Sequence, residues 1–267
     1  MRVLFIGDII SRTGRRVLGI GLPALREEFR VDLCIGNVEN AAGIFGITKK
    51  VIDEIAGAGV DVMTSGNHVW DKREGIALLD SRDDILRPAN YPPGVPGRGY
   101  LIRDVDDVRV CVVNLQGRTF MKPIDCPFRK ADAILAELPS DINVILLDFH
   151  AEATSEKLAI GYYLDGRVSA VAGTHTHVQT ADEHILDGGT GYISDIGMVG
   201  PSNSIIGVKK ELVINRFLYG LPVRFDVARE EPFIDAFFVE VDEESGNAVT
   251  VERVHRVIEE AKSDDQC

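Results

Sequence analysis

The chain has 267 residues, 45% of them apolar and 27% charged, and its 42 acidic against 29 basic side chains leave a net charge of −13. That is the composition of a soluble globular protein with enough chain to bury a substantial core. The charge excludes a general nucleic-acid binder, so no stable DNA binding is expected, and it disfavours docking on an anionic membrane surface.

The chain opens on a four-residue apolar run closed by Gly7 and Asp8. This is too short for a signal peptide, and no later run approaches a membrane span. Cys34, Cys111, Cys126 and Cys267 show no CxxC spacing, so reduced thiols in a cytoplasmic protein are expected, with Cys34 and Cys111 in the core. Apolar runs alternate with amphipathic segments. The pattern predicts strand 3–6, helix 13–29, strand 32–35, helix 49–58, strand 60–63 and helix 72–80. A Pro- and Gly-rich surface loop at 88–99 follows, then strand 108–113, helix 128–138, strand 143–147, helix 155–164 and strand 168–172. Beyond residue 183 the texture changes to two hairpins, 183–186 with 191–194 and 233–241 with 248–257. Strands buried on both faces and alternating with helices mean one layered α/β domain over 1–267, with antiparallel strands added by its last third. The apolar stretches Phe120-Met121 and Phe217-Leu218-Tyr219 read as core ahead of interface. Arg12, Arg118 and Lys122 read as solvated surface ahead of phosphate contacts, and His184 and His255 as structural.

Five of the runs end in residues that bind metals or move protons. They lead to Asp8, to Glu39 and Asn40, to Asn67 and His68, to His150, and to His175 and His177. Parallel strands bring their carboxyl ends to one edge, where open α/β sheets bind ligands. Oxygen and imidazole donors without thiolate suit Mn, Fe, Zn or Co, and a structural zinc site is disfavoured for want of cysteine. Four ligands serve one ion; seven or eight indicate two ions sharing a carboxylate. In an extended segment His175 and His177 point the same way, so one segment can serve both metals.

These motifs resemble the calcineurin-like metallophosphoesterase superfamily. That family's order is Asp-x-His, a bridging acid, Asn-His, His and Gly-His-x-His; here it reads Asp8-Ile9-Ile10, Glu39-Asn40, Gly66-Asn67-His68, His150 and Gly173-Thr174-His175-Thr176-His177. Ile10 stands where the family has its first histidine, the bridging acid is Glu39 rather than Asp, and Asn40 can replace the lost ligand. With the segment Asn114-Leu115-Gln116-Gly117-Arg118, these departures resemble the bacterial branch of 2′,3′-cyclic-nucleotide 2′-phosphodiesterases over the whole chain. The resemblance implies a layered β-sandwich flanked by helices, with its metal site at the carboxyl ends of the strands. It implies one metal on Asp8, Glu39, Asn40 and His177 and a second on Glu39, Asn67, His150 and His175, with Glu39 bridging. Iron or manganese is expected, with zinc as the alternative.

The mechanism implied is in-line attack by a hydroxide bridging two ions roughly 3.5–4 Å apart. His68 would act as the general acid toward the departing ribose oxygen. Loss of the 2′ oxygen would turn a 2′,3′-cyclic nucleotide into a 3′-nucleotide, and 3′,5′-cyclic nucleotides are further candidate substrates. The competing readings are a phosphomonoesterase or nucleotidase on the same ligands, and a cyclic-nucleotide-binding regulator without turnover. The sequence permits a homo-oligomer without specifying one.

Overall fold

The computed structural model describes residues 1–258. In chain order its elements are β1 (Arg2–Ile6), β2 (Asp8–Ile9), α1 (Ser11–Phe29), β3 (Leu33–Asn37), α2 (Lys49–Gly57), β4 (Val62–Thr64), α3 (Arg73–Ser81), β5 (Tyr100–Val105) and β6 (Val108–Gln116). They continue as α4 (Pro127–Glu137), β7 (Val144–His150), α5 (Thr154–Leu164), β8 (Ala170–Thr174), β9 (His184–Ile185), β10 (Gly191–Ile193), β11 (Met198–Pro201), α6 (Lys210–Tyr219), β12 (Pro232–Val241) and β13 (Ala248–Val257).

The strands form two mixed sheets. One runs β2-β11-β12-β1-β3-β4, with β13 on the free edge of β12; the other runs β5-β6-β7-β8-β10-β9. The strands β1, β3 and β4 are mutually parallel, as are β6, β7, β8 and β10. Alternation along each strand divides the core. In β1, Val3 and Phe5 face the second sheet, where they meet Val110, Val112, Val144 and Leu146. Leu4 and Ile6 face outward, onto Val17, Leu18 and Leu22 of α1. On the far side, Cys111, Leu147 and Phe149 pack against Ile134 of α4 and Ile160 of α5. The result is a sandwich of two sheets between two helical layers. The central strands are covered on both faces, which is why their apolar runs are continuous.

Gly7 sets up the site. Through Ile6 the first strand pairs with β12; from Asp8 it pairs with β11, which wedges in beside it. A Cβ on Gly7 would lie 2.4 Å from the Gly197 carbonyl oxygen, so only glycine admits this change of neighbour. Asp8 is delivered, fully buried, to the end of the sheet.

The strands and helices expected from the sequence are present within a few residues, and Cys34 and Cys111 are buried. Cys126 is half-buried, and Cys267 lies outside the described residues. Several expectations need correction. The strand ends come from two sheets rather than one edge. The last third is not purely antiparallel, since β10 is parallel to β8 and β11 to β2. The short β2 and β11, the partly exposed β5 and the helix α6 had no clear signal. The core reading of two apolar stretches fails: Phe120 is 89% exposed, and Phe217, Leu218 and Tyr219 are 84, 68 and 70% exposed on α6. That helix buries only Val213, and Ile214, Phe217, Leu218 and Tyr219 face solvent.

Candidate metal centre

The carboxyl ends of β1, β3 and β4 meet those of β7 and β8 across the two sheets. His150, the last residue of β7, is fully buried. Its Nε2 lies 3.0 Å from Glu39 Oε1, 3.2 Å from Asn67 Oδ1 and 3.0 Å from His175 Nδ1. One ring nitrogen cannot satisfy three such neighbours with a single proton.

The outer side of each ring explains the inward arrangement. Thr174 Oγ1 donates its one proton to Asp148 Oδ1 at 2.7 Å, so at 2.9 Å it accepts from His150 Nδ1. His175 Nε2 lies 3.0 Å from Glu152 Oε2 and donates there. Its Nδ1 therefore keeps a lone pair on the side of His150 and Glu39. His177 Nδ1 donates to the Ile206 carbonyl at 3.2 Å, and its Nε2 faces Asp8 Oδ1 at 3.8 Å. Asp8 Oδ1, Glu39 Oε1 and Asn40 Oδ1 are buried without a properly aligned hydrogen bond. Imidazole nitrogens turned toward buried oxygens that lack an aligned hydrogen bond are what a cation site requires, and outer acceptors on the other ring nitrogens are the usual support for histidine ligands. Glu39, His150 and His175 form a group whose donor atoms lie within 4.8 Å of one another.

Electrostatics reflect this crowding of acceptors. Burial pushes the Glu39 carboxyl up, but His150 and His68 outweigh it and hold the group at about 2. Burial disfavours a charged His150, but Glu39 overcomes this and raises it to about 9. Burial and the adjacent His150 push His175 down to about 3, keeping that ring neutral. Asp8 is raised by burial, with His177 and His150 opposing.

The structure brings Asp8, Glu39, Asn40, Asn67, His150, His175 and His177 to one end of the sandwich. The extended reading of the His175 segment fails. His175 and His177 have φ of 101° and 63°, a region that non-glycine residues seldom adopt. The resulting bend turns one ring toward Glu39 and the other toward Asp8. Ile10 packs with Met198 and Phe233 instead of reaching the site. Gly66 is required by space: a Cβ there would lie 2.0 Å from His150 Cδ2.

His68 stands apart from the cluster of lone pairs. Its backbone N–H donates to Glu39 Oε2 at 2.8 Å, fixing the residue beside the site. Its ring stacks on Phe45 with centroids 4.1 Å apart, and Nδ1 lies 2.7 Å from Asp71 Oδ2. The side chain remains 28% exposed and free to meet a ligand. Supporting residues that sequence reasoning missed are Glu152, Asp148, Thr174, Asp71 and the buried pair Lys157–Asp195, joined at 2.6 Å. Asp195 also accepts from the N–H and hydroxyl of Thr176, between the two histidines. His184 and His255 lie elsewhere, bonded to the Asp182 carbonyl and to Asp235.

This architecture, with its polar residues at the shared end of two facing sheets, is that of the calcineurin-like phosphoesterases. A NAD nucleotidase of Haemophilus influenzae shares the fold with a TM-score of 0.59 over 97% of this chain and 56% of that one, at 16% identity. Within the class, the chain belongs to the family of YmdB-like proteins, whose pattern matches residues 4–254. A Bacillus subtilis protein named 2′,3′-cyclic-nucleotide 2′-phosphodiesterase is 46% identical over 254 residues, 95% of this chain and 96% of its own. A hypothetical protein of Thermus thermophilus superposes with a TM-score of 0.91 at 43% identity, covering 96% of this chain and 99% of that one.

Proposed function

We propose that the chain is a metal-dependent phosphodiesterase that opens 2′,3′-cyclic nucleotides to 3′-nucleotides and also accepts 3′,5′-cyclic nucleotides. The carrying observation is the common orientation of His150, His175 and His177, whose outer nitrogens are occupied and whose inner nitrogens face Glu39, Asn67 and Asp8. The name of the Bacillus subtilis relative supports the same substrate class.

In this reading Asp8, Glu39, Asn40 and His177 hold one divalent cation, and Glu39, Asn67, His150 and His175 hold the other, with Glu39 shared. Iron or manganese is favoured over zinc. When bound, such a pair supplies charge against the phosphate oxygens and lowers the pKa of a nearby water. The reaction adds water across the P–O2′ bond: the water oxygen bonds phosphorus, O2′ leaves, and the phosphate stays on O3′. His68 delivers the proton to O2′ from Nε2, while Asp71 accepts Nδ1–H and holds the ring in that tautomer. Phe45 covers one face of the ring and restricts its rotation.

The test is turnover of 2′,3′- and 3′,5′-cyclic nucleotides with added Mn, Fe or Zn, with the product isomer identified. Release of the 3′-nucleotide is expected. Release of the 2′-nucleotide would reverse the assignment of the leaving oxygen, and hydrolysis of monoesters alone would replace the reading with a phosphatase.

A further inference from the structure

The net charge of −13 conceals one concentration of positive charge beside the site. Arg12, Arg16 and Arg229 line a pocket of about 490 Å³ whose floor includes Gly43, Ile44 and Phe225. Asp226 also lines it, but its carboxylate is engaged by Lys209. Arg229 acts on Asp226 only at a distance, and neither Arg12 nor Arg229 forms an ion pair among the described residues.

A second pocket joins this one to the residues that hold His68. Gly43, Ile44 and Phe225 also line a neighbouring pocket of about 640 Å³ that contains Phe45 and Asp71. Phe45 stacks on His68, and Asp71 is its hydrogen-bond partner. The shared loop is tied to the candidate ligands as well, because Asn40 Nδ2 donates to the Ile44 carbonyl at 2.8 Å. Phe45, in contact with His68, and Phe225, on the wall of both pockets, thus lead from the reaction site toward the arginines.

With His68 as the acid toward the departing oxygen, the rest of the nucleotide extends past Phe45 on this side of the site. A ribose and base beside Phe45 and Phe225 would point the 5′ oxygen toward the arginines. We propose that the arginine pocket binds a second phosphoryl group, carried on the 5′ oxygen of the nucleotide whose cyclic phosphate is opened. The preferred substrate is then a 5′-phosphorylated 2′,3′-cyclic nucleotide, either free or as the last residue of an oligoribonucleotide. This rests on the phosphodiesterase reading above. The guanidinium groups of Arg12 and Arg229, without carboxylate partners, suit a phosphate, with which arginine forms charge-assisted, often bidentate hydrogen bonds. An acidic protein surface elsewhere makes the pocket selective for short anionic ligands over long strands.

The test uses the metal-loaded protein and one nucleoside in three forms: the 2′,3′-cyclic phosphate, the same compound with a 5′-phosphate, and a dinucleotide ending in the cyclic phosphate. A 5′-phosphate is expected to lower KM about tenfold, the scale of one good charged contact. In the double variant Arg12→Gln/Arg229→Gln that advantage should shrink to less than about twofold. A gain with the dinucleotide as well identifies the RNA end as a source; a gain with the monoester alone identifies the free nucleotide. Equal KM values for all three in the unmodified protein would overturn the proposal. Should no cyclic nucleotide be turned over, the functional reading fails instead. Calorimetry then still tests the pocket: a nucleoside 3′,5′-bisphosphate should bind about tenfold more tightly than the 3′-monophosphate, and equal affinities would sink it.

Discussion

The two candidate ligand sets share Glu39 but are built differently. Around His150 the donor atoms are drawn together, with three neighbours of Nε2 at 3.0–3.2 Å. Around Asp8 they stand apart: His177 Nε2 is 3.8 Å from Asp8 Oδ1, and Asn40 Oδ1 has no partner. The first set carries its own compensation, because Glu39 holds His150 in its charged form when no cation is present. The second has an imidazole whose proton is committed to the Ile206 carbonyl. A proton can stand in for a metal on His150 in the first set, and on Asp8, whose carboxyl burial raises, in the second. Metal binding to the His150 set must therefore displace a proton, and its affinity should fall as the pH drops below about 9.

The strongest test removes what the sets have in common. Glu39→Gln keeps the shape and loses the charge, so metal analysis should find both ions lost together, with activity. Retention of a full complement would show that the two sets are independent and that Glu39 bridges nothing. The next largest effect separates both sets from the proton donor. His68→Ala should reduce turnover roughly 10²-fold or more, the usual scale of a positioned acid, while both ions remain bound. Unchanged turnover would remove His68 from the chemistry; loss of an ion would place it among the ligands.

The contrast between the sets was invisible in the sequence, although their members were not. Strands such as β1, β3 and β7 are legible because both faces are buried, which writes an unbroken apolar run. A polar residue ending such a run stands out against it, and that is how Asp8, Glu39 and His150 could be found. What decides which donors meet is long-range or conformational. The first strand pairs with β12, which is more than two hundred residues away, and no local signal assigns a strand to one sheet or the other. The positive φ of His175 and His177 decides which ring faces which carboxylate, and nothing in Thr-His-Thr-His announces it. Glu152 and Asp71 lie two and three residues beyond His150 and His68, yet isolated acids are too common for that spacing to single them out. The exposed apolar row of α6 misled for the converse reason, since a run containing Phe217, Leu218 and Tyr219 looks like core until its neighbours are known.

The smallest effect concerns Glu152, because it tests whether the first set owes its order to an outer partner. Its carboxylate lies 3.0 Å from His175 Nε2, but the side chain is 49% exposed. Water competes for so exposed a pair, so its contribution belongs at the low end of what outer partners of ligand histidines supply. Glu152→Ala should weaken the His150-side ion about tenfold and leave the other ion in place. Glu152→Gln should recover most of that loss, because an amide oxygen still accepts the Nε2 proton and keeps the tautomer. If Gln and Ala behave alike, the charge matters and the hydrogen bond does not. If neither changes the affinity, the bent backbone at His175 and the Thr176–Asp195 bonds behind it are sufficient to aim the ring. Stepwise metal titration, followed through the absorption of cobalt substituted at each site, distinguishes these outcomes without reference to turnover.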